Sequence, residues 1–213
     1  MKDKNYILLV LAHAFLGLLI YSFPAFSKIY AILIFFVGLY FIVKNRNLNN
    51  EALFVSAYIV GSEVFLRMTG GNILYEFSKY SIMTFMMLGM YYSGFSKNAI
   101  PFWIYLILLF PGILVATETL NLKSDLRNSL SFNISGPACL GISAIYAYNR
   151  SIKFSQLNNI LLSMGLPIIS TTVYLIFYTP ELKSILVSTG SNPATSGGFG
   201  PNQVATILGL GMF

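Results

Sequence analysis

The chain has 213 residues, of which 56% are apolar and only 9% charged, against about 25% charged in soluble domains. So few charges cannot clothe a water-facing surface of this length, and the long unalternating apolar blocks exclude a solvated β-protein, which leaves a polytopic membrane protein. The net charge of +6 is then a matter of which side of a bilayer each Lys and Arg occupies and not a nucleic-acid signal.

A helix needs about 20 apolar residues to cross the hydrocarbon. Lys2-Asp3-Lys4 is followed by an uncharged run over 5–27, and 29–43 follows the single Lys28. These predict two helices, 5–22 and 26–43, with Pro24 in the turn. The first run is long, lacks a small-x-small cleavage site and leads at once into a second span, so it reads as a retained helix and not a signal peptide. Lys44, Arg46 and several asparagines form a polar loop.

A third span is predicted over 52–68, interrupted by Glu63 and Arg67 and closed by Gly70-Gly71-Asn72. A short amphipathic piece, 73–79, carries Glu76 and Lys79 and leads to a fourth span over 80–93. Pro101 sits in the first turn of a fifth span, 100–117, where its missing N–H costs nothing. Residues 118–134 are polar, with Glu118, Lys123, Asp125 and Arg127. A sixth span over 135–148 places Ser135, Cys139, Ser143 and Ala147 on one face, where small residues allow close helix approach. The seventh, 156–178, contains Pro167 and the polar patch Ser170-Thr171-Thr172. A Gly/Ser/Thr/Pro-rich loop, 179–202, precedes an apolar run from Val204 to Phe213. Ten residues make only ~15 Å of helix, too short to cross.

The expected architecture is an all-α transmembrane bundle, one domain over 1–213, with seven full spans and a truncated eighth. The chain reads as the N-terminal part of a longer protein and, alone, as catalytically inert. With the N-terminus in the cytoplasm, the cytoplasmic loops and ends hold seven Lys or Arg and two acids, the opposite side six and five. The short cytoplasmic turns favour that orientation, which puts loops 67–79, 118–134 and 179–202 outside.

Common chemical motifs are missing. There is no Gly-x-x-x-x-Gly-Lys-Ser/Thr, and no lysine follows Gly197-Gly198-Phe199-Gly200. With His13 the only histidine, there is no His-Glu-x-x-His and no Ser/His pair with a Gly-x-Ser-Gly, so no metal site or cofactor is expected and no catalytic residue is assigned. His13 reads as a packed residue bonded to a neighbouring helix. Asn133-Ile134-Ser135 fits a glycosylation triplet of a kind that chance supplies often.

Glu63 and Arg67 are the informative polar pair. Four apart with the acid first, they suit an intrahelical ion pair. Glu63 lies ~17 Å along its helix at 1.5 Å per residue, inside the hydrocarbon band, where a charge costs at least ~2.5–3.5 kcal/mol. One reading is a self-neutralising pair that fixes packing. The other is a cationic site at an outer cavity mouth, with Glu63 orienting Arg67, whose planar fork suits phosphate. Lys79, Lys123 and Arg127 fall on the same side and enlarge the field, although each alone reads as a solvated loop charge.

Four strings now stand together: Glu-Val-Phe-Leu-Arg-Met at 63–68, Glu-Phe-Ser-Lys-Tyr at 76–80, Ser-Phe-Asn-Ile-Ser-Gly-Pro at 131–137 and Gly-Gly-Phe-Gly-Pro-Asn-Gln-Val-Ala at 197–205. With the many-helix layout they resemble the bacterial O-antigen ligase and O-antigen polymerase family, the last string most of all. The resemblance implies a glycosyltransferase of the inner membrane, multi-pass, moving a glycan from a polyprenyl pyrophosphate to a sugar hydroxyl on the outer face. Its implied partners are the polyprenyl-pyrophosphate-linked glycan, membrane lipid and other polysaccharide-assembly proteins. Such chemistry needs cations near the departing pyrophosphate and a base near the acceptor. The candidate substrate-binding residues are Glu63, Arg67, Lys79, Arg127 and Asn202. Residues 184–213 hold no Lys or Arg, unlike ligases, which leaves the polymerase subtype open. A transporter or flippase for a lipid-linked or anionic solute is the alternative, although no internal repeat of the kind common in transporters is visible. A non-enzymatic membrane scaffold is a third reading and has no need of Glu63 or Arg67.

Overall fold

A computed structural model describes residues 3–119, 126–179 and 193–212. Among them are eight α-helices and no strand: α1 (Asp3–Ser22), α2 (Phe26–Asn45), α3 (Glu51–Met68), α4 (Phe77–Ser93), α5 (Ile100–Thr119), α6 (Leu126–Ala147), α7 (Phe154–Tyr178) and α8 (Pro201–Leu210). Short 3₁₀ turns, Lys97–Ala99 and Pro193–Ser196, precede α5 and α8. Pro101 stands in the first turn of α5 and Pro201 opens α8, both where proline is tolerated.

Among the described residues, four stretches are long and apolar enough to cross a membrane: Asn5–Ser22, Phe26–Asn45, Lys97–Val115 and Phe154–Tyr178. The other three expected spans are helical but fall short on composition or length. α3 has 18 residues and carries Glu51, Glu63 and Arg67. α4 has 17 residues. α6 has 22, but its first half holds Arg127, Asn128, Ser129, Ser131, Asn133 and Ser135. The polar segment expected as a loop to residue 134 is therefore helical from Leu126, and the last three residues of the expected amphipathic piece, 77–79, belong to α4. Much of the expected loop over 179–202 and the tip of the 118–134 loop, with Lys123 and Asp125, lie outside the described residues.

The chain forms two compact units. The first contains residues 1–36, 57–73 and 157–213. Small residues set its spacing. A side chain at Gly17 would meet the Ser170 carbonyl oxygen at 2.6 Å, and one at Gly61 would strike the Met164 carbonyl, so α1 and α3 each approach the α7 backbone closely. One turn beyond Gly17, Tyr21 meets Tyr174 and Phe177. One turn beyond Gly61, Phe65 meets Tyr174. Hence α1, α3 and α7 run in the same direction. α2 opposes them, because Ser27 bonds to Thr69 while Tyr30 packs on Phe65.

The second unit contains residues 37–56 and 74–156, with α6 packed against both α4 and α5. Tyr80 bonds to Ser131, and Ser93 at the other end of α4 shares the Asn47 amide with Tyr146, so α4 and α6 are parallel. α5 is antiparallel to α6: Phe102 meets the Tyr148 ring, while Gly141 sits against Tyr105 and Leu106.

Candidate functional site

The first unit brings three sequence features to one end. Glu63 and Arg67 form the expected pair on α3: Arg67 donates from Nη2 at 3.0 Å and from Nε at 3.2 Å to Glu63 Oε1. The Arg67 and Glu63 side chains are 17% and 29% exposed, so neither is fully open to its surroundings. Both N–H groups meet the one oxygen, so the contact fixes the plane of the guanidinium along its Nε/Nη2 edge. Met68, the next residue, carries the glycine-rich loop: Gly197 lies on its side chain. Gly197 and Gly198 hold φ of +68° and +76°, a region that L side chains rarely enter.

That loop is clasped by Ser196, whose hydroxyl bonds to the carbonyls of Pro193 and Phe199 at 3.0 and 2.5 Å, and by Gly198 N–H donating to Pro193 at 2.9 Å. Val204 and Ile207 of α8 bury against Val64, Ile168 and Leu175, with Met68 and Phe199 at the edge. Asn202 is exposed in the first turn of α8. The end of α3 that bears Arg67 and the loop that leads to Asn202 are thus in contact through Met68.

Lys79 and Arg127 belong to the second unit. Lys79 is not a solvated loop charge: it pairs with Glu76 at 2.7 Å and donates to Ser135 at 3.3 Å, over the Phe132 ring. The Glu76 side chain is fully buried. The cause is the two helix starts. Beginning α4 at Phe77 puts Glu76 and Lys79 on one turn, and beginning α6 at Leu126 lays Ser131, Phe132 and Ser135 over them. Arg127 stands in the first turn of α6, and its side chain lies outside the described residues. No three His, Cys, Asp or Glu side chains able to hold a metal ion come together among the described residues.

His13 lies inside α1. Its Nδ1–H donates to the Leu9 carbonyl at 2.8 Å, which leaves Nε2 to accept from the Tyr58 hydroxyl, also at 2.8 Å. Tyr30 donates to Tyr58 at 3.0 Å, and Ser170 donates to the His13 carbonyl at 2.7 Å. One hydrogen-bonded run therefore links α2, α3 and α1, and Ser170 ties α7 to it.

Sequence reasoning missed a polar latch in the second unit. Arg150 donates to the carbonyls of Tyr146 (2.9 Å) and Gly94 (2.8 Å), to Asn50 Oδ1 (3.1 Å) and to Ser93 Oγ (3.0 Å), and stacks on Tyr146 with its carbon 3.9 Å from the ring centre. Asn47 Nδ2 reaches Gly89 O, Ser93 Oγ and Tyr146 Oη, and its Oδ1 accepts from Ala52 N–H at 2.9 Å. Arg46, Asn47 and Asn50 adopt φ of +49°, +52° and +62°. The one sequence signal was the asparagine run, since Asn enters that region more readily than most residues. No family model, no curated protein and no solved structure matches the chain.

Proposed function

We propose that the protein is an inner-membrane glycan transferase of the O-antigen ligase/polymerase type, in which Arg67, oriented by Glu63, engages the pyrophosphate of a polyprenyl-linked donor beside the 197–202 loop. The single observation that carries this is the packing of the glycine-rich string onto Met68, next to the pinned guanidinium. Two of the four strings behind the resemblance meet there. Lys79 pairs with Glu76 and in this reading positions the start of α4; it does not touch the donor.

Seven crossings with the N-terminus inside belong to the same proposal. The common direction of α1 and α7 supports them: two parallel spans require an odd number of crossings in between. The two further apolar helices between them, α2 and α5, are an even number. Admitting α3, α4 and α6 restores the parity. Glu63 pairs with Arg67 in α3 and Lys79 of α4 with Glu76, which lowers the cost of inserting those two helices.

The test is Arg67→Ala in the bacterium that carries the gene. Transfer of glycan is expected to fall on the order of 10²-fold, the loss typical of removing one preorganised charge partner, with undiminished protein and an accumulation of polyprenyl-linked glycan. Equal loss of protein and transfer would identify the pair as a packing device. The His13–Tyr58–Tyr30 run favours a second reading, a transporter or flippase, because polar relays inside a bundle suit ion-coupled movement. Lipid-linked glycan that changes leaflet in proteoliposomes without a new glycosidic bond would select it.

A further inference from the structure

The second unit contains a cleft of about 590 Å³ lined by Val43, Arg46, Leu48, Tyr91 and Tyr92, at the end where α2 gives way to its turn. We propose that this cleft holds the phosphate headgroup of an anionic membrane lipid. The lining is mixed in the way an interface requires. Leu48 is 82% exposed and Tyr91 80% exposed: an aliphatic side chain just past the end of α2, which is apolar enough to cross a membrane, and an aromatic one near the end of α4. Tyrosines at that depth place a ring against acyl chains and a hydroxyl among headgroups. Tyr91 and Tyr92 meet edge-on, with centroids 5.2 Å apart, so the pair forms a wall and not two independent rings.

The charge selects an anion. The turns 44–51, 93–99 and 148–153 are joined by Arg150 and carry five basic residues, Lys44, Arg46, Lys97, Arg150 and Lys153, against one acid, Glu51. The acid is already committed: Glu51 is buried and accepts from the Asn49 backbone and amide at 3.0 and 3.2 Å. Arg150 is committed as well, to four oxygens of the latch. Lys44 lies over the Tyr40 ring. Arg46 is different. It is exposed, lines the cleft, and its guanidinium makes no hydrogen bond or ion pair among the described residues. A planar cation beside two tyrosines and an open apolar flank is complementary to a phosphodiester whose chains run down the helices. The proposal needs only the membrane setting and is independent of glycan transfer.

The test uses the whole chain purified in detergent and native mass spectrometry with phosphatidylglycerol, phosphatidylcholine or inorganic phosphate added. Phosphatidylglycerol is expected to be retained roughly tenfold better than phosphatidylcholine, the lower end for hydrogen bonds to a charged group. Arg46→Asn should remove that preference, since Asn tolerates the left-handed backbone at this position. Tyr91→Ala, at a side chain 80% exposed, should weaken retention independently. Lys97→Ala, which removes the same charge from a turn outside the cleft lining, should leave it intact. Equal retention of the two lipids, or undiminished preference in both cleft variants, overturns the proposal. Displacement of the lipid by millimolar phosphate would make the site one for free anions, and a dimer that excludes lipid would make it a self-association surface; either result also overturns it.

Discussion

Asn47 holds the α2–α3 turn with one side chain. Its amide has two hydrogens for three acceptors, and its carbonyl oxygen caps the first turn of α3 through Ala52 N–H. Asn47→Ala takes one partner from the Tyr146 hydroxyl and one from the Ala52 N–H together and leaves a β-carbon in a left-handed backbone. The expected cost is about 2–6 kcal/mol, from two buried groups losing partners at ~1–3 kcal/mol each. Thermal unfolding in detergent checks it, with Arg46→Asn one residue away as the control that should change little. An Asn47→Ala midpoint equal to the parent would mean that Arg150 alone closes the latch. Arg150→Lys probes that second member: a lysine keeps the charge but not the fork that reaches Gly94, Asn50 and Ser93 at once. A clear fall in the unfolding midpoint is expected, and an unchanged midpoint would show that charge and not geometry joins the turns.

At the scale of elements, glycine marks which helix faces touch backbone to backbone. Gly61→Ala drives a methyl into the Met164 carbonyl, and Gly17→Ala into that of Ser170. Overpacking against backbone costs about 1–3 kcal/mol. Gly165 of α7 has nothing within 4 Å of its virtual β-carbon, so Gly165→Ala should be neutral or stabilise by up to ~0.5–1 kcal/mol through helix propensity. Measured together, Gly61→Ala should unfold well below Gly165→Ala; the reverse order would refute the close α3–α7 contact. These faces explain what was legible beforehand. The bounds of α1, α2, α5 and α7 follow from uninterrupted hydropathy and lie within about two residues of expectation at both ends. The start of α6 does not, because Arg127, Asn128, Ser129 and Ser131 look like a loop to any local reading. Their helix is stabilised by non-local partners: Ser131 by Tyr80 and Ser135 by Lys79. The Glu63–Arg67 pair was visible because its spacing is local. Its proximity to the 197–200 loop was not, since Met68 and Gly197 are far apart in sequence.

For the whole molecule, the direction of each helix constrains how often the chain crosses the bilayer. If only the four most apolar helices crossed, α1 and α7 would point in opposite directions, yet Tyr21 follows Gly17 along α1 just as Tyr174 and Phe177 follow Ser170 along α7. The second unit gives the same parity independently. With α5 crossing and α6 not, Arg150 would emerge on the side opposite Gly94, but the two are hydrogen-bonded at 2.8 Å. Ser131 and Ser135, in the polar half of α6, meet Tyr80 and Lys79, which lowers the cost of placing them in a membrane. On the proposed seven-span reading, reporter fusions at Lys97 and Arg150 are expected on one side, and fusions at Asp125 and Thr195 on the other. In the proposed orientation the basic turns at 44–46, 97 and 150–153 face the cytoplasm. The critical comparison is Lys97 against Arg150. Opposite signals there would break the Arg150 latch and leave α6 lying along the surface. The same cytoplasmic signal at both, with Thr195 external, requires α5 and α6 to cross as a pair and puts the Arg67 end of α3 with the 197–202 loop on the outer face, where a lipid-linked glycan donor would be used.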